Sequence, residues 1–188
     1  KPRKPSPPKS VPELKIGVGD AAPYFQAPAG DGSTVRLSEL RGKKVVLYFY
    51  PRDNTPGCTP AACAFRDKYA EIRATGAEIL GVSFDSVESH KGFAAKHGLP
   101  FRLISDADKK IAGAYGVYQM KTLYGRKFMG IVRSTFVIGA DGRVAKVFPK
   151  VSVTGHDEEV LAALRATADR TLPFLGRSAP GEGSGPPL

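Results

Sequence analysis

Val45 to Tyr50 (VVLYFY) is an unbroken run of β-branched and aromatic residues. Such a run suits a strand covered on both faces, at the centre of a sheet. A strand of that kind needs a layer on each side, and the residues that follow supply one. From Cys58 to Thr75 the apolar positions Ala62, Phe65, Tyr69 and Ile72 recur at three- and four-residue spacing, which predicts an amphipathic helix stopped by Gly76. The pattern then repeats, with Glu78 to Ser83 (EILGVS) as a second strand and Ser86 to His97 as a helix ended by Gly98 and Pro100. Together these segments read as a βαβα unit.

Further along, Phe101 to Ile104 reads as a short strand and Lys109 to Tyr115 as a short helix. Ser134 to Ile138 and Val144 to Phe148 read as a hairpin closed around Ala140-Asp141-Gly142. His156 to Ala168, with Val160, Leu161 and Leu164 on one face, reads as the last helix. Crossover and hairpin connections coexist, so the expected class is α/β with a mixed central sheet flanked by helices. The stretch from Tyr115 to Val132 is less regular; its Tyr124, Phe128 and Met129 are expected to pack on the core rather than line a substrate mouth. No internal repeat is evident.

The chain has 188 residues, 41% of them apolar and 24% charged, which suits one folded domain and excludes a disordered or membrane-spanning body. No stretch approaches the roughly 18 consecutive apolar residues that cross a bilayer. The net charge is +10, and Lys1, Arg3, Lys4, Lys9 and Lys15 against Glu13 place much of the excess at the N-terminus. Residues 1–15, with five prolines, read as a flexible basic arm; 16–175 as the domain; and 176–188 as a disordered Gly/Pro-rich tail. No aromatic residue is interleaved in the arm for base stacking, so a solvated extension is expected and nucleic acid is not an expected partner. The arm lacks the apolar core of a secretory signal. A cytoplasmic location is expected, with export or an organelle after removal of a leader as the alternative.

Two cysteines are too few for a disulfide scaffold, so a chemical role is expected of them. Both lie in the segment Pro51 to Cys63 (PRDNTPGCTPAAC), between a predicted strand and a predicted helix, where open α/β sheets carry their sites. A cysteine in the first turn of that helix faces unpaired backbone N–H groups and the positive end of the helix dipole, which favour thiolate over thiol. Cys58 is so placed. Thr55, three residues upstream, can donate to a reacting oxygen or cap a backbone N–H. Pro51 and Pro56 stiffen the loop, and Gly57 allows close backbone approach.

Cys63 follows Cys58 by five residues. On an ideal helix that separation turns about 140° and rises about 7.5 Å, leaving the Cα atoms roughly 8.6 Å apart. A disulfide tolerates at most about 7 Å. Bonding the pair therefore requires the first turn to unwind, which Pro60 eases because it supplies no N–H. The same geometry argues against a permanent structural disulfide. Zinc is disfavoured because His90, His97 and His156 lack ligand spacing to the cysteines. Thioredoxin-type exchange would want two intervening residues where four are present. Peroxide chemistry fits best, with a thiol–disulfide oxidoreductase and a nucleic-acid-binding module as the rival readings. No metal, haem, flavin or nucleotide motif is visible, since Gly17-Val18-Gly19 is too short for a phosphate loop, and no cofactor is expected.

Pro51, Thr55 and Cys58 in a Pro-x-x-x-Thr-x-x-Cys arrangement, followed by Cys63, resemble the peroxiredoxins, specifically the bacterioferritin comigratory protein or Q-type subgroup. The stretches Arg133 to Ile138 (RSTFVI) and Gly155 to Leu164 (GHDEEVLAAL) extend the resemblance, which covers roughly Ile16 to Leu164. It implies a thioredoxin-like fold and a thiol peroxidase acting on hydrogen peroxide and organic hydroperoxides. By the same resemblance Cys58 is the peroxidatic cysteine and Cys63 the resolving one. Thr55 and Arg133 orient the peroxide and stabilise developing charge, and Pro51 shields the sulfur. Read without the resemblance, Arg133 is a surface salt-bridge residue at a strand start. Thioredoxin or a similar dithiol is the implied reductant, because two cysteines provide one disulfide and no internal electron source. A resolving cysteine on the same chain removes any need for a dimer, so a monomer is expected.

Overall fold

A computed structural model describes residues 14–167. The readings made for the basic arm before Leu14, and for the tail and the last residue of the final helix, lie outside them. The chain opens with β1 (Gln26–Pro28) and β2 (Thr34–Arg36), an antiparallel pair, and a single 3-10 turn over Leu37–Leu40. Then come β3 (Lys44–Phe49), α1 (Cys58–Asp67), α2 (Tyr69–Ala74), β4 (Ala77–Ser83), α3 (Val87–His97) and β5 (Arg102–Ser105). The remaining elements are α4 (Lys110–Tyr115), β6 (Tyr118–Leu123), β7 (Arg126–Ile131), β8 (Ser134–Ile138), β9 (Val144–Phe148) and α5 (His156–Ala166).

Five strands form the central sheet in the order β5-β4-β3-β8-β9, with β3, β4 and β5 parallel and β8 and β9 antiparallel. The run predicted as a central strand is its middle member, buried along its whole length. Alternate residues of that strand feed separate cores, as a strand's twofold side-chain period requires. Val45, Leu47 and Phe49 join Leu80, Val82, Ile111, Tyr115 and Phe136 on one face. Val46, Tyr48 and Tyr50 join Phe65, Ile72, Phe93, Leu161 and Leu164 on the other. The mixed sheet and its flanking helices therefore match the expected class.

Three details differ from the sequence reading. The helix expected from Cys58 to Thr75 is two helices, because Lys68 leaves helical geometry at φ −94°, ψ 1°. The apolar stripe still turns inward, with Ala62, Phe65 and Ile72 buried, so its periodicity was sound while its continuity was not. Second, Tyr124, Phe128 and Met129 do not pack on the core: they are 96%, 42% and 46% exposed on the β6–β7 hairpin. A separate two-stranded ribbon gives such side chains little to lie against. Its tip, Tyr124-Gly125, has positive φ at both residues, the geometry of a tight hairpin turn. Third, β1 and β2 have three residues each, too short to show a period. Among the described residues no helix is long and apolar enough to cross a membrane.

Candidate active site

The central strand β3 delivers the chain into a loop, Tyr50 to Gly57, and Cys58 is the first residue of α1. The helix start has no side-chain cap at Gly57. Instead Thr55 Oγ1 accepts the Cys58 N–H at 3.3 Å and donates its own proton to the Arg52 carbonyl at 3.0 Å. Of the two uses foreseen for Thr55, the structure displays the cap. The loop reverses at Asn54, whose φ of 59° is a left-handed conformation that asparagine tolerates.

Cys58 is 2% exposed, and its Sγ accepts a hydrogen bond from Arg133 Nη2 at 3.1 Å. A guanidinium at that distance stabilises negative charge on sulfur. Arg133 lies between β7 and β8, and its carbonyl accepts the Val151 N–H at 3.0 Å. Among the described residues it forms no carboxylate ion pair, so the surface salt-bridge alternative fails. Gly57 has a steric reason: a Cβ there would sit 3.1 Å from Arg133 Nη2. Pro51 opens the loop and is half-buried. Cys63 lies further along α1, half-buried, and both thiols are free.

A second polar cluster holds the loop from behind. Asp53 is buried; its Oδ1 accepts from Tyr50 Oη at 2.6 Å, and its Oδ2 accepts from Ser89 Oγ at 2.8 Å and contacts His90 Nδ1 at 2.8 Å. His90 Nε2 faces the Ile104 carbonyl at 2.9 Å, and the Asp53 N–H donates to Asp85 Oδ2 at 2.9 Å. Burial opposes charge on Asp53, but the hydrogen bonds from His90, Tyr50 and Ser89 outweigh it and hold the carboxyl below its ordinary range. Burial pushes the Tyr50 phenol well up. The cluster ties the loop to α3, β4 and β5. Sequence reasoning missed it, because Asp53 and His90 stand 37 residues apart with no local motif joining them.

Asp53, Asp85 and His90 present ligand atoms within 4.8 Å of one another, the one such grouping among the described residues. Those atoms are committed to Tyr50, Ser83, Ser89 and one another, which makes the group a strut more than an open coordination site. His156, buried on α5, contacts Thr135 Oγ1 through Nε2 at 2.8 Å, and burial holds its imidazole below the ordinary value. A cavity of about 640 Å³, walled by Val144, Phe148 and Ala163, touches none of the five predicted site residues. A groove of about 460 Å³ does reach Arg133.

A buried cysteine at a helix start, beneath an arginine and at the end of a central strand, is the layout of a cysteine peroxidase on a thioredoxin-like sheet. Residues 18–147 match the AhpC/TSA family. Peroxiredoxin Bcp of Bacillus subtilis is 44% identical over 157 residues, covering 84% of this chain and all of that one. Peroxiredoxin Bcp of Escherichia coli is 40% identical over 153 residues, covering 81% and 98%. The bacterioferritin comigratory protein of Xanthomonas campestris, whose structure is described with its alkyl peroxide reduction activity, superposes with a TM-score of 0.75 at 40% identity, covering 82% and 98%. The chain belongs to the AhpC/TSA family and is a peroxiredoxin, a thiol-dependent peroxidase. The family implies a hydroperoxide substrate and a thioredoxin-like reductant in general terms.

Proposed function

We propose that Cys58 is the peroxidatic cysteine and Cys63 the resolving one, in a cycle that reduces hydrogen peroxide and organic hydroperoxides. The observation that carries the reading is the 3.1 Å contact between Arg133 Nη2 and Cys58 Sγ at the start of α1. The thiolate attacks one peroxide oxygen, the O–O bond breaks, and water or an alcohol departs, leaving a sulfenic acid. The Cys63 thiol then displaces water from that sulfur to form the disulfide, which an external dithiol such as thioredoxin reduces.

Arg133 and Thr55 orient the peroxide in this reading, the threonine by turning its hydroxyl from the Arg52 carbonyl to the substrate. Pro51 stiffens the loop and keeps water from the sulfur. With Cys58 only 2% exposed, a small movement of the 51–57 loop or of the guanidinium admits the peroxide. Both cysteines lie within the unbroken α1, so resolution requires its first turn to open. Organic hydroperoxides as substrates are supported by the Xanthomonas relative. Resolution within one chain needs no second subunit, which supports a monomer, and the dithiol requirement suits the reducing cytoplasm.

One equivalent of hydrogen peroxide added to the reduced chain should remove two hydrogens in a crosslink that maps to Cys58 and Cys63. Cys58→Ser should abolish turnover, whereas Cys63→Ser should still form a sulfenic acid and then over-oxidise. Full turnover by Cys58→Ser would overturn the assignment.

A further inference from the structure

Lys121 projects from β6 yet is not a free surface lysine. Its Nζ donates to the Ile131 carbonyl at 2.8 Å, and it lies 5.9 Å from the centroid of the Phe128 ring. Gly130 leaves room for its stem, since a Cβ there would stand 3.3 Å from Lys121 Cδ. So held, Lys121 lines the same groove as Arg133, together with Met120, Val132, Lys150 and Val151. Among the described residues no carboxylate lies within ion-pair distance of Lys121 or Arg133.

Two partly buried cations that line one groove with no carboxylate between them repel one another, and negative charge that develops in the groove relieves that cost. Burial first, then the charge of Arg133, push the Lys121 ammonium below the ordinary lysine range, while the sulfur of Cys58 works in the opposite direction. The anions that arise here during the reaction are the thiolate and the oxygen leaving the peroxide. Arg133 is tied to the sulfur and does not release a proton. Thr55, once its hydroxyl turns to the peroxide, donates a hydrogen bond but as an alcohol does not give up its proton. Lys150 is exposed to solvent.

We propose that Lys121 is the acid of the peroxide-cleaving step, stabilising and then protonating the oxygen that leaves as Cys58 attacks. The proposal rests on the reading of Cys58 as the attacking thiolate. In that step a sulfur–oxygen bond forms and the O–O bond breaks. The departing oxygen carries the bonding pair and takes a proton from Lys121 to become the alcohol; solvent returns the proton to the amine. The sulfur is oxidised by two electrons and the peroxide reduced by two, so no further reactant enters.

The test is single-turnover stopped flow on the reduced full chain with two oxidants. The leaving alkoxide of tert-butyl hydroperoxide needs a proton, and the leaving acetate of peracetic acid does not. Lys121→Gln should slow the first by roughly 10- to 100-fold and leave the second near the wild-type rate. Lys121→Arg, which restores charge without an easily released proton, should recover only part of the loss. Lys150→Gln should change neither rate, and disulfide closure should be unaffected throughout. Equal losses with both oxidants, or none with either, would overturn the proposal. If Lys121→Gln unfolds, Lys121→Met, which retains the aliphatic stem, carries the same comparison. Failure of the underlying reading is separable: it would appear in the wild type as a sulfenic acid mapped away from Cys58.

Discussion

At the scale of single residues, Arg133 is the side chain whose chemistry is least replaceable. It presents a planar fork, contacts the sulfur, and has no carboxylate ion pair among the described residues to divide its charge. Arg133→Ala should lower the second-order rate with hydrogen peroxide by about 10²- to 10³-fold, measured by competition or stopped flow, while the Tm moves little. Tyr48 presents the reverse case. Its hydroxyl is buried with no hydrogen-bond partner among the described residues, and burial pushes its phenol well up. Tyr48→Phe removes an unpaired polar group, so urea unfolding should show a neutral or stabilising effect of up to about 1 kcal/mol. A clear destabilisation would mean that the hydroxyl has a partner, such as a bound water.

Among the elements, α1 and the loop before it do the positioning. The loop is fastened through Asp53 to α3, β4 and β5, so opening of the first turn is confined to residues beyond the fastening. Oxidation should therefore accelerate hydrogen exchange at the amides near Cys58 to Cys63 and leave Asp53 protected, a pattern that mass spectrometry resolves. Asp53→Asn replaces one oxygen of the carboxylate that accepts from Tyr50, Ser89 and the His90 ring with an amide donor, leaving buried hydrogen bonds unmet, and should cost about 1–3 kcal/mol by denaturant unfolding. Gly57→Ala should keep the fold but slow peroxide reduction, because its Cβ would crowd the guanidinium at 3.1 Å.

For the molecule as a whole, acid should act through two buried groups of the same sign. His156 is held neutral below the ordinary imidazole value of 6.5, so on acidification the unfolded chain takes up the proton first. Its contribution is complete above about pH 6.5 and is lost as the pH falls through the lower folded value. The depressed carboxyl of Asp53 contributes fully above its ordinary value of 3.8 and is lost below that. Asp106, raised by burial, opposes the trend in the acid range. Stability should decline as the pH falls below 6.5 and again below 3.8, and His156→Gln should flatten the first part; an unchanged slope there would show that His156 is not the group responsible.

Whatever depended on neighbours within one element was legible from the chain alone. The run from Val45 to Tyr50 identified the central strand, and Cys58 at the predicted helix start identified the sulfur, because both signals lie within a few residues. The resemblance named Arg133, which the residues by themselves left as a surface cation. Only the folded sheet decided that β8 pairs with β3 and carries Arg133 to a cysteine 75 positions away. The Asp53–His90 strut, the break at Lys68 and the exposed β6–β7 hairpin were likewise settled by packing. Periodicity reports which side of an element is apolar, whereas the partner that side meets is fixed by long-range contacts that leave no local spacing to read.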